Sequence, residues 1–324
     1  MNLLVLGGTI FLGRHVVAAA LARGHRVTLL HRGRHGTTLF PDVERLVGDR
    51  DDDMGALAGR RFDGVIDCSG YTPAQMTRFV AAIGDGVPHV VFVSSISAYA
   101  RFAPDVLYDE TAPLAEGDAG YGPLKARAEE AIAAALPGRV ALVRPGLIVG
   151  PHDPTGRFTY WPERVARGGD VLAPGRPERP VQCIDARDLA TWCVQLSEQR
   201  STGAFNAVGP RVPMRQLLDA CRDALDADAR FTWMADATLL AQGVAPWTGL
   251  PLWLPETDPE VGGMMLTDLT RALAAGLRTR PLRETIVDTH AWAVAPDAHD
   301  RAAARPVATL TPEREARCLA LLQR

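Results

Sequence analysis

Residues 4–16 read LVLGGTIFLGRHV. A short Leu/Val run gives way to Gly7 and Gly8, and a third glycine, Gly13, falls inside the alanine-rich stretch that follows. A brief, continuous apolar run suits a strand buried on both faces. The stretch FLGRHVVAAALARG suits a helix that closes at Gly24. Glycines at the junction allow a tight turn and let the backbone approach a pyrophosphate. The helix start adds unpaired N–H groups and the positive end of its dipole. The junction therefore predicts a dinucleotide site, with Gly7, Gly8, Thr9, Phe11, Leu12 and Gly13 at its centre.

The same rhythm continues. RVTLL, VERLVG, FDGVIDC, HVVFVSS and RVALVRPG read as further strands, with helices from Pro73 to about Ile83 and from YGPLK at residue 121 onward. Strands alternating with helices mean crossover connections and a parallel sheet. The prediction is an α/β fold: an open, doubly wound parallel sheet that binds ligands at the carboxyl ends of its strands. After about residue 150 the pattern breaks into Gly-, Pro- and aromatic-rich loops. Residues 1–150 are expected to form the dinucleotide-binding domain, with later segments returning to it. Residues 151–324 are expected to form mainly a smaller substrate-binding lobe. There helices are predicted at ARDLATWCVQLSEQ, MRQLLDACRDAL, LTRALAAG and LRETIVDTHAW, with a last short one in TPEREARCLALLQR.

Composition narrows the function classes. The chain has 324 residues, 47% hydrophobic and 23% charged, with a net charge of −3. That balance gives no electrostatic case for nucleic acid. No apolar run approaches the roughly 18 residues needed to cross a bilayer, and the first residues lack a signal peptide's basic start and cleavage site. Five cysteines without a CxxC pair favour reduced thiols, so the expected location is cytoplasmic. His152 and Asp153 lack the spaced partners of a metal site, and no metal is expected.

The second strand ends TLLHRGR, and no Asp or Glu occurs between Arg26 and Thr38. An acidic residue there would take the ribose hydroxyls of NAD. Arg32 and Arg34 stand where a 2′-phosphate would lie, so NADP(H) is favoured, with NAD(H) the alternative. Asp49 is placed to meet the adenine edge.

The strand HVVFVSSISAYA ends in hydroxyls, and the helix after it opens with Tyr121 and Lys125, four apart on one face. Ser95 could donate to a substrate oxygen, Tyr121 could exchange its proton, and Lys125 could hold the ribose and keep the phenol acidic. A phenol of pKa about 10 needs a shift of about three units, roughly 4 kcal/mol, to work near neutrality. One ammonium in a partly desolvated cleft, with an oxidised nicotinamide, is of that order.

GGTIFLG, VFVSSISAYA, YGPLK, RPGLIVGP, VQCIDARDLA and GAFNAVGP follow one another in an order that resembles the extended, atypical short-chain dehydrogenase/reductase superfamily, with its NAD(P)-dependent epimerases and dehydratases. The resemblance covers roughly residues 1–292. It implies a Rossmann-type sheet and the catalytic set Ser95, Tyr121 and Lys125. It implies that Cys68, Ser69 and Gly70 line the cofactor and that Pro145, Gly146 and Ile148 run beside the nicotinamide. Two departures matter. Ile10 occupies the position of a usual glycine, as in an atypical branch containing reductases and RNA-associated proteins. Ser95 is followed by Ile96 and Ser97, where dehydratases of the family carry an acidic pair, so dehydration is disfavoured.

Over the substrate the resemblance places GRFTYWPERVARGG and RPVQCIDARDLA. The candidates are Phe158, Tyr160, Trp161 and Gln182, joined by Tyr71 and Ser97; Arg157 and Arg164 are candidates for a diphosphate. Asp185 reads as a helix cap. The expected function is an NADP(H)-dependent oxidoreductase of a carbonyl/alcohol pair. The alternatives are a sugar or nucleotide-sugar epimerase and a non-catalytic cofactor-binding or RNA-associated protein. The expected partner is a small molecule, with a homodimer an open option.

Overall fold

The computed structural model describes residues 1–84, 86–295 and 306–322. The strands are β1 (Asn2–Leu6), β2 (Arg26–His31), β3 (Glu44–Val47), β4 (Gly64–Asp67), β5 (Val90–Val93), β6 (Val140–Pro145), β7 (Leu147–Val149), β8 (Gly169–Pro174), β9 (Pro180–Val181), β10 (Cys183–Asp185), β11 (Gly203–Ala207), β12 (Val212–Pro213) and β13 (Ala229–Met234). The helices are α1 (Phe11–Ala22), α2 (Pro73–Ile83), α3 (Tyr121–Ala135), α4 (Tyr160–Ala166), α5 (Ala186–Gln199), α6 (Met214–Ala224), α7 (Asp236–Ala241), α8 (Thr270–Ala274), α9 (Leu282–Val294) and α10 (Pro312–Leu321).

Seven strands form one sheet in the order β11-β6-β5-β4-β1-β2-β3, every pair parallel. This is the Rossmann-type α/β arrangement. The winding reverses between β1 and β4, and such a reversal opens a crevice at the carboxyl ends of the strands. Strand alternation explains the unbroken apolar run of β1. Leu3 and Val5 face α1 and α5, packing with Val16, Val17, Leu189 and Trp192. Leu4 and Leu6 face α2 and α3, packing with Met76, Phe79 and Ile132.

The sheet takes its edge strand β11 and the covering helix α5 from beyond residue 150. The remaining C-terminal elements build a separate core of Phe158, Trp161, Val171, Leu172, Met214, Leu217 and Trp253. Caps fix several helix starts. Thr72 and Gln75 form a capping box at α2, Asp185 accepts the Arg187 N–H at 2.8 Å before α5, and Thr311 accepts the Arg314 N–H before α10. Residues 323–324 of the predicted last helix lie outside the described residues. No helix among the described residues is long and apolar enough to cross a membrane. All five cysteines are free thiols.

Candidate active site

A cleft of about 570 Å³ runs along the carboxyl edge of the sheet, within the roughly 300–1,000 Å³ usual for small-molecule sites. One end is the turn after β1. Gly7 has φ +79°, and a Cβ on Gly13 would stand 2.0 Å from the Gly7 carbonyl oxygen, so the turn closes only without side chains there. Gly7, Thr9, Phe11, Leu12 and Gly13 line the cleft; Gly8 lies behind the wall against Leu29 and Val17. A glycine turn leading into α1 below an open crevice fits a dinucleotide pyrophosphate.

Arg32, Arg34 and Asp49 line the cleft beside β2 and β3. His31, at the end of β2, was not anticipated. Its Nδ1 accepts the Gly33 N–H at 2.9 Å, which puts the ring proton on Nε2, and Nε2 is buried without a partner. Arg50 was also missed. It donates to both carboxylate oxygens of Asp67, at 2.7 and 2.8 Å, and to Ser69 Oγ at 3.1 Å. Asp67 in turn accepts the Ser69 N–H at 2.9 Å. Cys68 and Ser69 line the cleft, while Gly70 sits behind it. Burial raises the Cys68 thiol well above its ordinary pKa, which leaves it an inert wall.

The other end brings Ser95, Tyr121 and Lys125 together with Tyr71, Ser97, Pro145, Gly146 and Ile148. Ser95 caps a short 3₁₀ turn after β5, its Oγ accepting the Ser97 N–H at 3.0 Å. Tyr121 opens α3 and is 51% exposed at the mouth. Lys125, one turn on, is buried, and its Nζ donates to the carbonyls of Gly70 at 2.6 Å and Val93 at 2.8 Å. The rings of Phe92 and Tyr71 flank it at 4.7 and 5.1 Å.

Burial is the leading influence on both groups. Desolvation lowers the Lys125 pKa to about 8, against the pull of Asp67 and Glu129. Desolvation also moves the Tyr121 phenol upward, although half the residue is exposed. The nearby Ser95 hydroxyl and the positive charge of Arg157 oppose that rise. Arg157 is thus a cation whose charge reaches the phenol.

Four expected substrate contacts lie elsewhere. Phe158, Tyr160 and Trp161 are in the core of the C-terminal lobe, and the Trp161 indole donates to the Pro251 carbonyl at 2.8 Å. Gln182 is 2% exposed, and its amide pairs with Thr267 and Gly209. Apolar packing claims the aromatics, and backbone groups claim the glutamine. Arg164 is likewise structural: it holds Glu315 of α10 at 2.7 and 3.0 Å. Arg157, by contrast, lines the cleft with Asp153, Thr155 and Trp247.

Residues 3–208, more than half of the chain, match the NAD dependent epimerase/dehydratase family. No curated protein matches significantly. Solved structures share the fold. UDP-N-acetylglucosamine 4-epimerase from Methanobrevibacter ruminantium, in complex with UDP-N-acetylmuramic acid, aligns at TM-score 0.69 and 17% identity over 90% of this chain and 98% of its own. UDP-glucose 4-epimerase from Thermotoga maritima, with UDP-glucose, aligns at 0.67 and 20% identity over 90% and 98%. The same enzyme from Bifidobacterium longum, in complex with NAD+ and UDP, aligns at 0.66 and 17% identity over 90% and 98%. The chain belongs to the NAD dependent epimerase/dehydratase family.

Proposed function

We propose that this enzyme is an NAD(P)-dependent epimerase acting at a carbinol carbon of a sugar-type substrate. The observation that carries the reading is the meeting of Ser95, Tyr121 and Lys125 at the far end of the cleft that begins at the Gly7–Gly13 turn. Family membership favours epimerisation over the net reduction suggested first by the sequence. When bound, the cofactor would supply the hydride acceptor and donor that lets the carbinol carbon be oxidised and then reduced on its opposite face. Gly7, Thr9, Leu12 and Gly13 would hold the pyrophosphate, Cys68 and Ser69 would line the cofactor, and Pro145, Gly146 and Ile148 would flank the nicotinamide. Tyr121 takes the hydroxyl proton as the carbonyl forms and gives it back as the new alcohol forms. Ser95 donates to the same oxygen. Lys125 fixes the ribose and keeps positive charge below the phenol. Tyr71 and Ser97 border the substrate.

The test is interconversion of a deuterium-labelled sugar epimer pair without net cofactor consumption, together with Tyr121→Phe. Loss of interconversion in the variant with cofactor still bound supports the reading. Unchanged turnover removes Tyr121 from the reaction. A second reading, net NADP(H)-dependent oxidoreduction, is favoured by Arg32 and Arg34, which line the cleft just after β2, a strand end that carries no acidic residue of its own. Stoichiometric loss of NADPH on a carbonyl substrate would select it.

A further inference from the structure

We propose that Arg157 recognises an anionic group, a carboxylate or a phosphate ester, carried by the substrate close to the carbon that Tyr121 addresses. The inference rests on the proposed site and names the chemical class of its substrate. Arg157 follows β7 on a loop that rims the cleft. Its guanidinium lies over the Trp247 ring, 5.3 Å from the centroid. Its Nε donates to Thr155 Oγ1 at 3.1 Å. Thr155 is itself held by Asp153, which accepts from the threonine hydroxyl at 2.8 and 3.0 Å and from its N–H at 2.9 Å. Stacking and the Nε bond fix the plane of the fork. Among the described residues, neither terminal nitrogen of Arg157 has a hydrogen-bond partner and the side chain makes no ion pair.

Three other interior arginines are paired, and Arg179, buried without an ion pair among the described residues, lies outside the cleft. Arg50 is consumed by Asp67, Arg144 by Glu129 and Arg164 by Glu315. A pre-oriented guanidinium with two free N–H-bearing nitrogens is shaped for bidentate contact with a carboxylate or phosphate. Asp153 is 3% exposed and its charge acts on Arg157, but its oxygens bond Thr155 and it makes no direct ion pair with the fork. Position decides what the anion belongs to. Arg157 lines the same cleft as Ser95, Ser97 and Tyr121, and its charge is felt by the Tyr121 phenol, which points to an anion on the reacting part of the substrate.

Binding is measured by calorimetry on the full chain with NADP+ present, using D-glucose, D-glucuronate, D-glucose 6-phosphate and UDP. The inference expects glucuronate or glucose 6-phosphate to bind at least about 10-fold tighter than glucose. Whichever is tighter identifies the anion as carboxylate or phosphate. Arg157→Gln should erase the preference by about 10- to 100-fold with NADP+ and glucose affinity unchanged, and Arg157→Lys should restore part of it. Equal binding of the three sugars, no binding of either anion, or a preference that survives Arg157→Gln overturns the inference. A loss confined to UDP also overturns it, because the anion would then belong to a nucleotide. No hydride moves in this assay, so Tyr121→Phe should retain the preference. Failure of the epimerase reading therefore shows separately, as absent interconversion by a protein that still binds the anion.

Discussion

The Arg50 guanidinium grips the Asp67 carboxylate through two bonds of 2.7 and 2.8 Å, directly behind the backbone that holds Lys125. Asp67 fixes Ser69 through its N–H, and the next residue, Gly70, offers its carbonyl to Lys125 Nζ. The pair thus sets the wall against which the lysine is placed. Breaking a buried pair by removing one partner leaves a stranded charge and costs roughly 3–5 kcal/mol. Asp67→Asn or Arg50→Met should lower stability by that order in urea unfolding. The double variant should recover much of it. Additive losses would mean that the two side chains do not act as a unit.

Lys125 gives a pH signature. Its pKa is lowered from 10.5 to about 8 by burial, whereas in the unfolded chain it titrates near its ordinary value. Between pH about 8 and 10.5 the unfolded state binds more protons, so this group makes stability rise with pH in that window. The full span is on the order of 3 kcal/mol. Wild type should gain stability relative to Lys125→Met as pH rises from 8 to 10. The same deprotonation should remove the ammonium from the site, giving an alkaline loss of turnover centred near pH 8. Parallel stability curves for the two proteins would contradict the assignment.

Tyr121→Phe removes one hydroxyl from a half-exposed ring. Turnover should fall at least about 100-fold, the lower size of a general acid–base contribution. Cofactor affinity, followed by fluorescence titration, should stay within a few-fold because the glycine turn and Lys125 are untouched.

Arg32 and Arg34 border the cleft. Arg32→Glu should reduce NADPH affinity relative to NADH by about 10- to 100-fold, the worth of one charge-assisted contact. Titrating both cofactors against both proteins checks it, and an unchanged ratio would remove Arg32 from cofactor choice.

The parts of the site that were legible in the sequence are local in the chain. Gly7, Gly8 and Gly13 announce a turn because they lie between one strand and one helix, and Tyr121 and Lys125 announce a shared face through their four-residue spacing. Arg50 and Asp67 were not legible, because an arginine in an acidic loop and an aspartate ending a strand carry no mark of pairing until β4 and β3 take their places on the outer sides of β1 and β2. Trp161 shows the opposite error. An aromatic residue in a loop-rich region reads equally as pocket or packing, and its indole is settled by the carbonyl of Pro251, 90 residues away. The edge strand β11 escaped notice because GAFNA is short and holds only small residues beside one Phe and one Asn, and it gains its place only by pairing with β6.

The central claim is that hydroxyls of Ser95 and Tyr121 and a nicotinamide ring share one small space. A crystal structure of the protein with NADP+ tests this most directly. The account predicts the pyrophosphate on the Gly7–Gly13 turn and the nicotinamide facing Ser95 and Tyr121, with room between them for a single carbonyl. A nicotinamide lying outside that space, or a Tyr121 hydroxyl turned away from it, would contradict the account.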